Sequence, residues 1–373
     1  LGHEGVVART ISGVMDAPAW WRLDDGVGRS PGTFAHLGGT VVGQQAREPL
    51  GERGRSADVP NDIPKRGWQD IAWRVVRAAR RDRVTMFAAG VAFYALLALF
   101  PTIAAVISVW GLLFDPVEAG RQLYTISRFM PPDAANLIDQ QAQDVVESIE
   151  SGNVLTALAG LLIAMFIASK AVSVLVIGLN AVYGEQEQRS LLYRGVVLVS
   201  LTFGLICMTL VSLGFIAIVP ALVDRLMIEP PMDRVLQWLR WPALLVLMSL
   251  LIALLYRFAP YRRSPQWRWL SYGTLFATLM WLLGSGGLSL YVRYFSTFSE
   301  LYGSIGAVVA LMLWFWLSAF VVLFGAELNS EMERQTCHDT TVGEARPLGE
   351  REAFAADTIG VENPWNSDNT ARK

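Results

Sequence analysis

A lysine stands deep inside a long apolar run of this 373-residue chain, in Phe166-Ile167-Ala168-Ser169-Lys170-Ala171-Val172-Ser173. Lys170 falls near the middle of the stretch from Val154 to Tyr183. A charged side chain at bilayer depth costs about 2.5–3.5 kcal/mol on insertion scales, so such a residue ordinarily faces a partner or a watery cavity. Two readings stand side by side. Lys170 either pairs with a carboxylate or with helix carbonyls and fixes packing, or it receives an anionic headgroup or substrate. Asn180 adds a polar group three turns further on, and Tyr183 marks the exit of the run. Near the end of the last apolar run, Glu327 is a lone carboxylate close to a helix C-terminus, where it opposes the helix dipole and calls for a compensating cation. Arg83, Arg194, Arg257 and Arg268 are the candidates on the same side; the choice lies between a structural ion pair and a gate or proton-coupled role.

The elements that must position these residues follow from composition. The chain is 53% hydrophobic and only 17% charged, against about 25% charged in an ordinary soluble protein. Its mean hydropathy is +0.37. Six apolar stretches, at 86–113, 154–183, 195–222, 242–259, 270–292 and 304–328, are each long enough for helices that need about 20 residues to cross a hydrocarbon core. The predicted fold class is all-α: a polytopic membrane protein with six transmembrane helices. Lys65, Arg66, Arg74, Arg77, Arg80, Arg81 and Arg83 precede the first stretch, while the loop after it is acidic, which predicts cytoplasmic N- and C-termini. Arg225, Arg234 and Arg240 fall on the predicted outer side, interspersed with Asp224, Glu229 and Asp233.

Around this domain, expected at 85–330, the sequence predicts a disordered N-terminal tail over 1–64, not a cleaved secretory leader, and a disordered C-terminal tail over 331–373. Residues 65–84 read as an amphipathic interfacial helix, because Trp68, Ile71, Ala72, Val75, Val76 and Ala79 recur at helical spacing with arginines on the other faces. Such a helix serves as a topology anchor or as a lipid-sensing element. The fifth stretch carries Gly273, Gly284, Ser285, Gly286, Gly287 and Ser289. Small residues there suit close packing within the chain or self-association into a homo-oligomer, or else a helix break lining a polar cavity, matched by a re-entrant turn at 301–306.

Enzymatic patterns are sparse. His3, His36 and His338 are the three histidines and all lie in the expected tails, so the sequence offers no zinc cluster and no histidine-centred triad. No GxxxxGK[ST] loop occurs, and no paired carboxylates lie inside the apolar runs. The expectation is a protein that is not an enzyme, with no cofactor and no metal. A net charge of -2 from 31 basic and 33 acidic residues gives no nucleic-acid signature.

Three blocks together resemble the YihY/BrkB family of bacterial inner-membrane proteins: Phe87 to Pro101 (FAAGVAFYALLALFP), Ala168 to Tyr183 (ASKAVSVLVIGLNAVY) and Tyr302 to Arg334 (YGSIGAVVALMLWFWLSAFVVLFGAELNSEMER). The middle block holds Lys170, where the family pattern carries Lys or Arg, and the last holds a GAELN signature with Glu327 and Asn329. One departure is Phe166-Ile167, where many relatives resemble a Trp-Ser pair. The resemblance spans about residues 68–334 and implies six helices with cytoplasmic termini. It leaves the function open, because some members carry a ribonuclease BN label and others resemble proteins tied to serum resistance or to defective lipopolysaccharide precursors. The expected activity is movement or accommodation of an amphipathic anion such as a lipid or lipid precursor, with Lys170, Asn180, Glu327 and Asn329 as substrate-binding candidates and membrane lipids as partners. A non-transporting membrane scaffold is the rival reading, and a ribonuclease a third.

Overall fold

The computed structural model describes residues 53–113, 154–225, 232–294 and 304–364. Among these residues the chain is helical, with no strand beyond one isolated bridge between Pro265 and Thr341. The helices are α1 (Lys65–Arg81), α2 (Val84–Leu113), α3 (Val154–Val182), α4 (Leu191–Arg225), α5 (Met232–Phe258), α6 (Trp267–Tyr294), α7 (Ser304–Glu333) and the single turn α8 (Phe354–Asp357). Each of the six apolar stretches of the sequence thus matches one long helix, α2 to α7, with only residues 183 and 259 falling just past a helix end. By length and composition five helices can cross a membrane, or six when α1 and the first half of α2, bent by 57° at their junction, count as one span. The helix break that was one alternative at Gly284–Gly287 is absent, for α6 runs through it. The acidic loop after α2 and most of the expected turn at 301–306 lie outside the described residues.

Apolar sequence alone does not hold helices together in lipid, where a neighbouring acyl chain is as apolar as leucine; close backbone approach and polar contacts must do so. Both occur at one end of this bundle. Leu179 of α3 and Tyr183 just after it, Ile252 and Tyr256 of α5, Leu270 and Ala277 of α6, and Leu323 and Ala326 of α7 form the buried core there. Gly273 of α6 and Gly325 of α7 make the crossing possible. A β-carbon on Gly273 would stand 2.3 Å from the Gly325 carbonyl, and one on Gly325 would stand 2.5 Å from the Tyr256 hydroxyl. Tyr256 in turn donates to the Val322 carbonyl at 2.7 Å. Towards their other ends the helices present Leu162, Ile163, Trp238, Leu239, Leu283 and Leu290 outward, the surface a lipid-facing wall needs.

The packed end is covered by chain that the sequence marks as tail. Residues 53–63 and 334–364 are folded, contrary to the expected mobile segments, and the remainder of both tails lies outside the described residues. The reason is chemical: these segments are fixed by backbone and arginine hydrogen bonds, which leave no apolar period to read. Cys337 N–H donates to the Arg55 carbonyl, Gln266 N–H to Thr340, Arg263 N–H to Glu352 and Gly360 N–H to Arg334. The buried Arg351 guanidinium donates to the carbonyls of Cys337, His338, Arg346 and Ala356.

Helix α1 also departs from expectation. Its apolar stripe does not face lipid: Ile71 and Val75, flanked by Trp68, pack with Ala57, Ile63, Trp269 and Met332. Asp70 and Arg74, polar residues of the same face, are buried with them. Lys65, Arg66, Arg77 and Arg80 remain on the exposed side.

Candidate functional site

Lys170 lies on the face of α3 opposite to its packed one. Leu175, Val176 and Leu179 turn inward, whereas Ile163, Phe166, Lys170 and Ile177 share the outward stripe at helical spacing. The ammonium sits 4.6 Å from the centre of the Phe166 ring one turn earlier, a cation–π contact worth about 0.5–1 kcal/mol where exposed. Among the described residues no carboxylate pairs with it. The packing reading, in which a buried acid neutralises this lysine, therefore finds no acid among those residues. The departure at Phe166 acquires a use, because the phenyl ring supplies the platform over which the ammonium extends. An open depression of about 510 Å³ along α5, lined by Arg234, Val235, Trp238, Leu239 and Pro242, does not include Lys170.

The other three candidates sit at the packed end and do not join Lys170. Asn180, 5% exposed, accepts the Tyr261 N–H at 2.8 Å through its Oδ1 and donates from Nδ2 to Glu187 at 3.3 Å. It ties the end of α3 to the link between α5 and α6. Asn329 is fully buried and its Oδ1 accepts the Gly273 N–H at 2.9 Å, while its Nδ2 has no partner. This bond spans the close crossing of α6 and α7. Glu327 is 1% exposed, and its Oε1 has no hydrogen-bond partner. Arg83, Arg194, Arg257 and Arg268 make no ion pair with it. Arg257, for one, donates instead to the Pro265 carbonyl and lies over Trp267.

Sequence reasoning missed the polar network that surrounds these residues. Arg74 of α1 donates to Glu331 at 2.6 Å and to Gln335 at 2.7 Å, and Arg334 donates to the other Glu331 oxygen at 2.6 Å. Arg262 grips Glu333 with two hydrogen bonds of 3.1 and 2.6 Å, and both side chains are wholly buried. Thr340 adds a third bond to Glu333 at 2.8 Å. Burial works against the Arg262 charge, but the Glu333 carboxylate beside it outweighs that loss and holds its proton more tightly than usual. The available signal was the run Glu331, Glu333, Arg334 and Gln335 straight after an apolar helix, which reads equally well as a solvated end. Among the described residues no group of three or more His, Cys, Asp or Glu side chains is placed to hold a metal ion. His338 pairs with Asp58.

Comparison with known proteins adds the following. A family model described as Virulence factor BrkB matches residues 75–348. A Bacillus subtilis protein with a ribonuclease-like name, YfkH, is 27% identical over 252 residues, covering 66% of this chain and 89% of its own. A UPF0761 membrane protein of Cronobacter sakazakii is 25% identical over 308 residues, covering 79% of this chain and 95% of its own. Another, of Alteromonas mediterranea, is 25% identical over 269 residues, with 71% and 88% covered. No solved structure matches.

Proposed function

The chain belongs to the Virulence factor BrkB family of membrane proteins, and on that footing we propose that it is an inner-membrane protein that binds an amphipathic anion, a lipid or lipid precursor, and moves its headgroup past the flank of α3. The observation that carries this reading is Lys170: exposed, set on an aromatic ring in an apolar stripe, and paired with no carboxylate among the described residues. A cation at that depth is stabilised by an anion arriving from the lipid phase, and the apolar residues around it suit acyl chains. The packed end faces the cytoplasm in this reading. Lys65, Arg66, Arg77, Arg80, Arg189, Arg194, Arg257, Arg262, Arg263, Arg268 and Arg334 all cluster at or near it, as the positive-inside rule requires.

Asn180, Glu327 and Asn329 then belong to the support of the bundle and not to the headgroup contact. A role without chemistry on the substrate is proposed; the ribonuclease-like name belongs to the Bacillus relative. A non-transporting scaffold is the second reading. It is favoured by the extent of chain, residues 334–364, spent on covering the packed end.

Native mass spectrometry of protein released from nanodiscs containing anionic lipid tests the proposal. The wild type is expected to retain an anionic adduct that Lys170→Met loses, with little change in thermal stability because the side chain is exposed. Identical adducts in the two proteins would remove the headgroup role and leave the scaffold.

A further inference from the structure

Helix α1 has two faces that meet different surroundings. Gly67, Ile71, Arg74, Val75 and Ala78 form the buried one, set against the end of the bundle. On the other, Lys65, Ala72, Val76, Arg77 and Arg80 are exposed and Trp73 is half-buried. At 3.6 residues per turn these six positions share one half of the helix circumference, with basic and apolar side chains interleaved. The cations of this face are left over by the fold. Among the described residues Lys65, Arg77, Arg80 and the exposed Arg83 pair with no carboxylate. The contact of the Arg77 guanidinium is the Trp73 ring, 5.3 Å away. On the inward side the charges are spent within the protein: Arg53 donates to Asp70 at 3.2 Å, and Arg74 to Glu331 at 2.6 Å and to the Val361 carbonyl at 3.1 Å.

The position of α1 says what the outward face meets. Its buried face packs on Trp269 and Met332, which stand at the ends of the apolar spans Trp267–Tyr291 and Val308–Glu333. Helix α1 therefore lies at the depth of the lipid headgroups. Arg83, with a φ of 54°, turns the chain at the junction, and α1 is bent by 57° from the first half of α2. With α2 upright, α1 runs nearer the membrane plane than its normal.

We propose that the outward face of α1 is a docking surface for the anionic headgroups of the leaflet at the packed end. Lys65, Arg77, Arg80 and Arg83 meet lipid phosphates, while Trp73 and Val76 reach the boundary between headgroups and acyl chains, where an indole ring is favoured. An exposed cation close to an anionic surface gains from its potential, and salt screens that gain. The same helix carries Arg74 on its opposite face, so lipid held on one side steadies the segment clamped on the other. The proposal rests on the membrane placement of α2 to α7 and on none of the residues of the Lys170 reading.

The test uses the full chain in nanodiscs, with Cys207→Ser and Cys337→Ser removing the free thiols and a fluorophore attached at Ala72→Cys. Two bilayers are compared, one zwitterionic and one containing phosphatidylglycerol, each with a trace of phosphatidylcholine that bears a nitroxide quencher on its headgroup. Quenching is expected to be at least about two-fold stronger in the anionic bilayer and to fall towards the zwitterionic level in high salt. Adding Lys65→Gln, Arg77→Gln and Arg80→Gln together should abolish the difference and leave the melting temperature unchanged, since these side chains are exposed. Equal quenching in the two bilayers, or a difference that the triple variant keeps, overturns the docking surface. A probe quenched in neither bilayer also overturns it, and leaves the face to an acidic soluble partner or to residues 1–52.

Discussion

Replacing Arg262 by methionine while Glu333 stays in place is expected to destabilise the protein by about 3–5 kcal/mol, the cost of stranding one member of a buried ion pair. Both side chains are fully buried, so no water can take over the role of the missing guanidinium. Thr340 alone would remain bonded to the carboxylate. The pair joins the link between α5 and α6 to the end of α7, and its loss should also release the segment beyond Glu333. The double variant Arg262→Met with Glu333→Leu separates the causes: removing both charges leaves no stranded anion, and much of the loss should be recovered. Thermal unfolding in one detergent, followed for the wild type, both single variants and the double, reads this directly. A double variant as unstable as Arg262→Met would mean that packing lost around the arginine stem, and not the stranded charge, sets the cost.

The second large effect is expected at the crossing of α6 and α7. Gly273→Ala places a β-carbon 2.3 Å from the Gly325 carbonyl and 2.4 Å from Asn329 Oδ1, distances no packed methyl group tolerates. Helix backbone cannot yield as a flexible side chain would, so the helices must separate and the Gly273 bond to Asn329 must lengthen. Overpacking of this kind costs about 1–3 kcal/mol. Gly286, further along the same helix, has open space where its β-carbon would sit. Gly286→Ala should therefore be neutral or slightly stabilising, since alanine is the better helix former by up to about 1 kcal/mol. Equal melting temperatures for the two alanine variants would argue against a close crossing at Gly273.

Much of the transmembrane domain was legible in the sequence because lipid imposes a simple rule: a spanning helix must satisfy its own backbone and expose apolar side chains along its whole length. Each of the six stretches coincides with one long helix, to within one residue where it runs past the helix end. Lys170 was legible for the same reason, as a violation of that rule. The ends of the bundle obey other rules. Arg74 and Arg262 bury their charge against carboxylates that come from residues far apart in the chain. No local period announces such contacts. The same limit explains why α1 reads as a membrane-surface helix: its apolar stripe is real, but the surface it meets is Trp269 and Met332 of its own chain. Glu327 was expected to meet a cation, and none of Arg83, Arg194, Arg257 and Arg268 forms an ion pair with it.

The central claim, that an anionic amphiphile passes Lys170, is tested most directly by leaflet exchange in liposomes. Protein reconstituted with a fluorescent anionic phospholipid is exposed to an impermeant quencher, and the fraction of probe reaching the outer leaflet is followed over time. Exchange of the anionic probe should be several-fold faster with wild-type protein than with Lys170→Met or with protein-free liposomes, and a zwitterionic probe should show little acceleration. Anionic exchange that is the same in wild-type, Lys170→Met and protein-free liposomes would contradict the account.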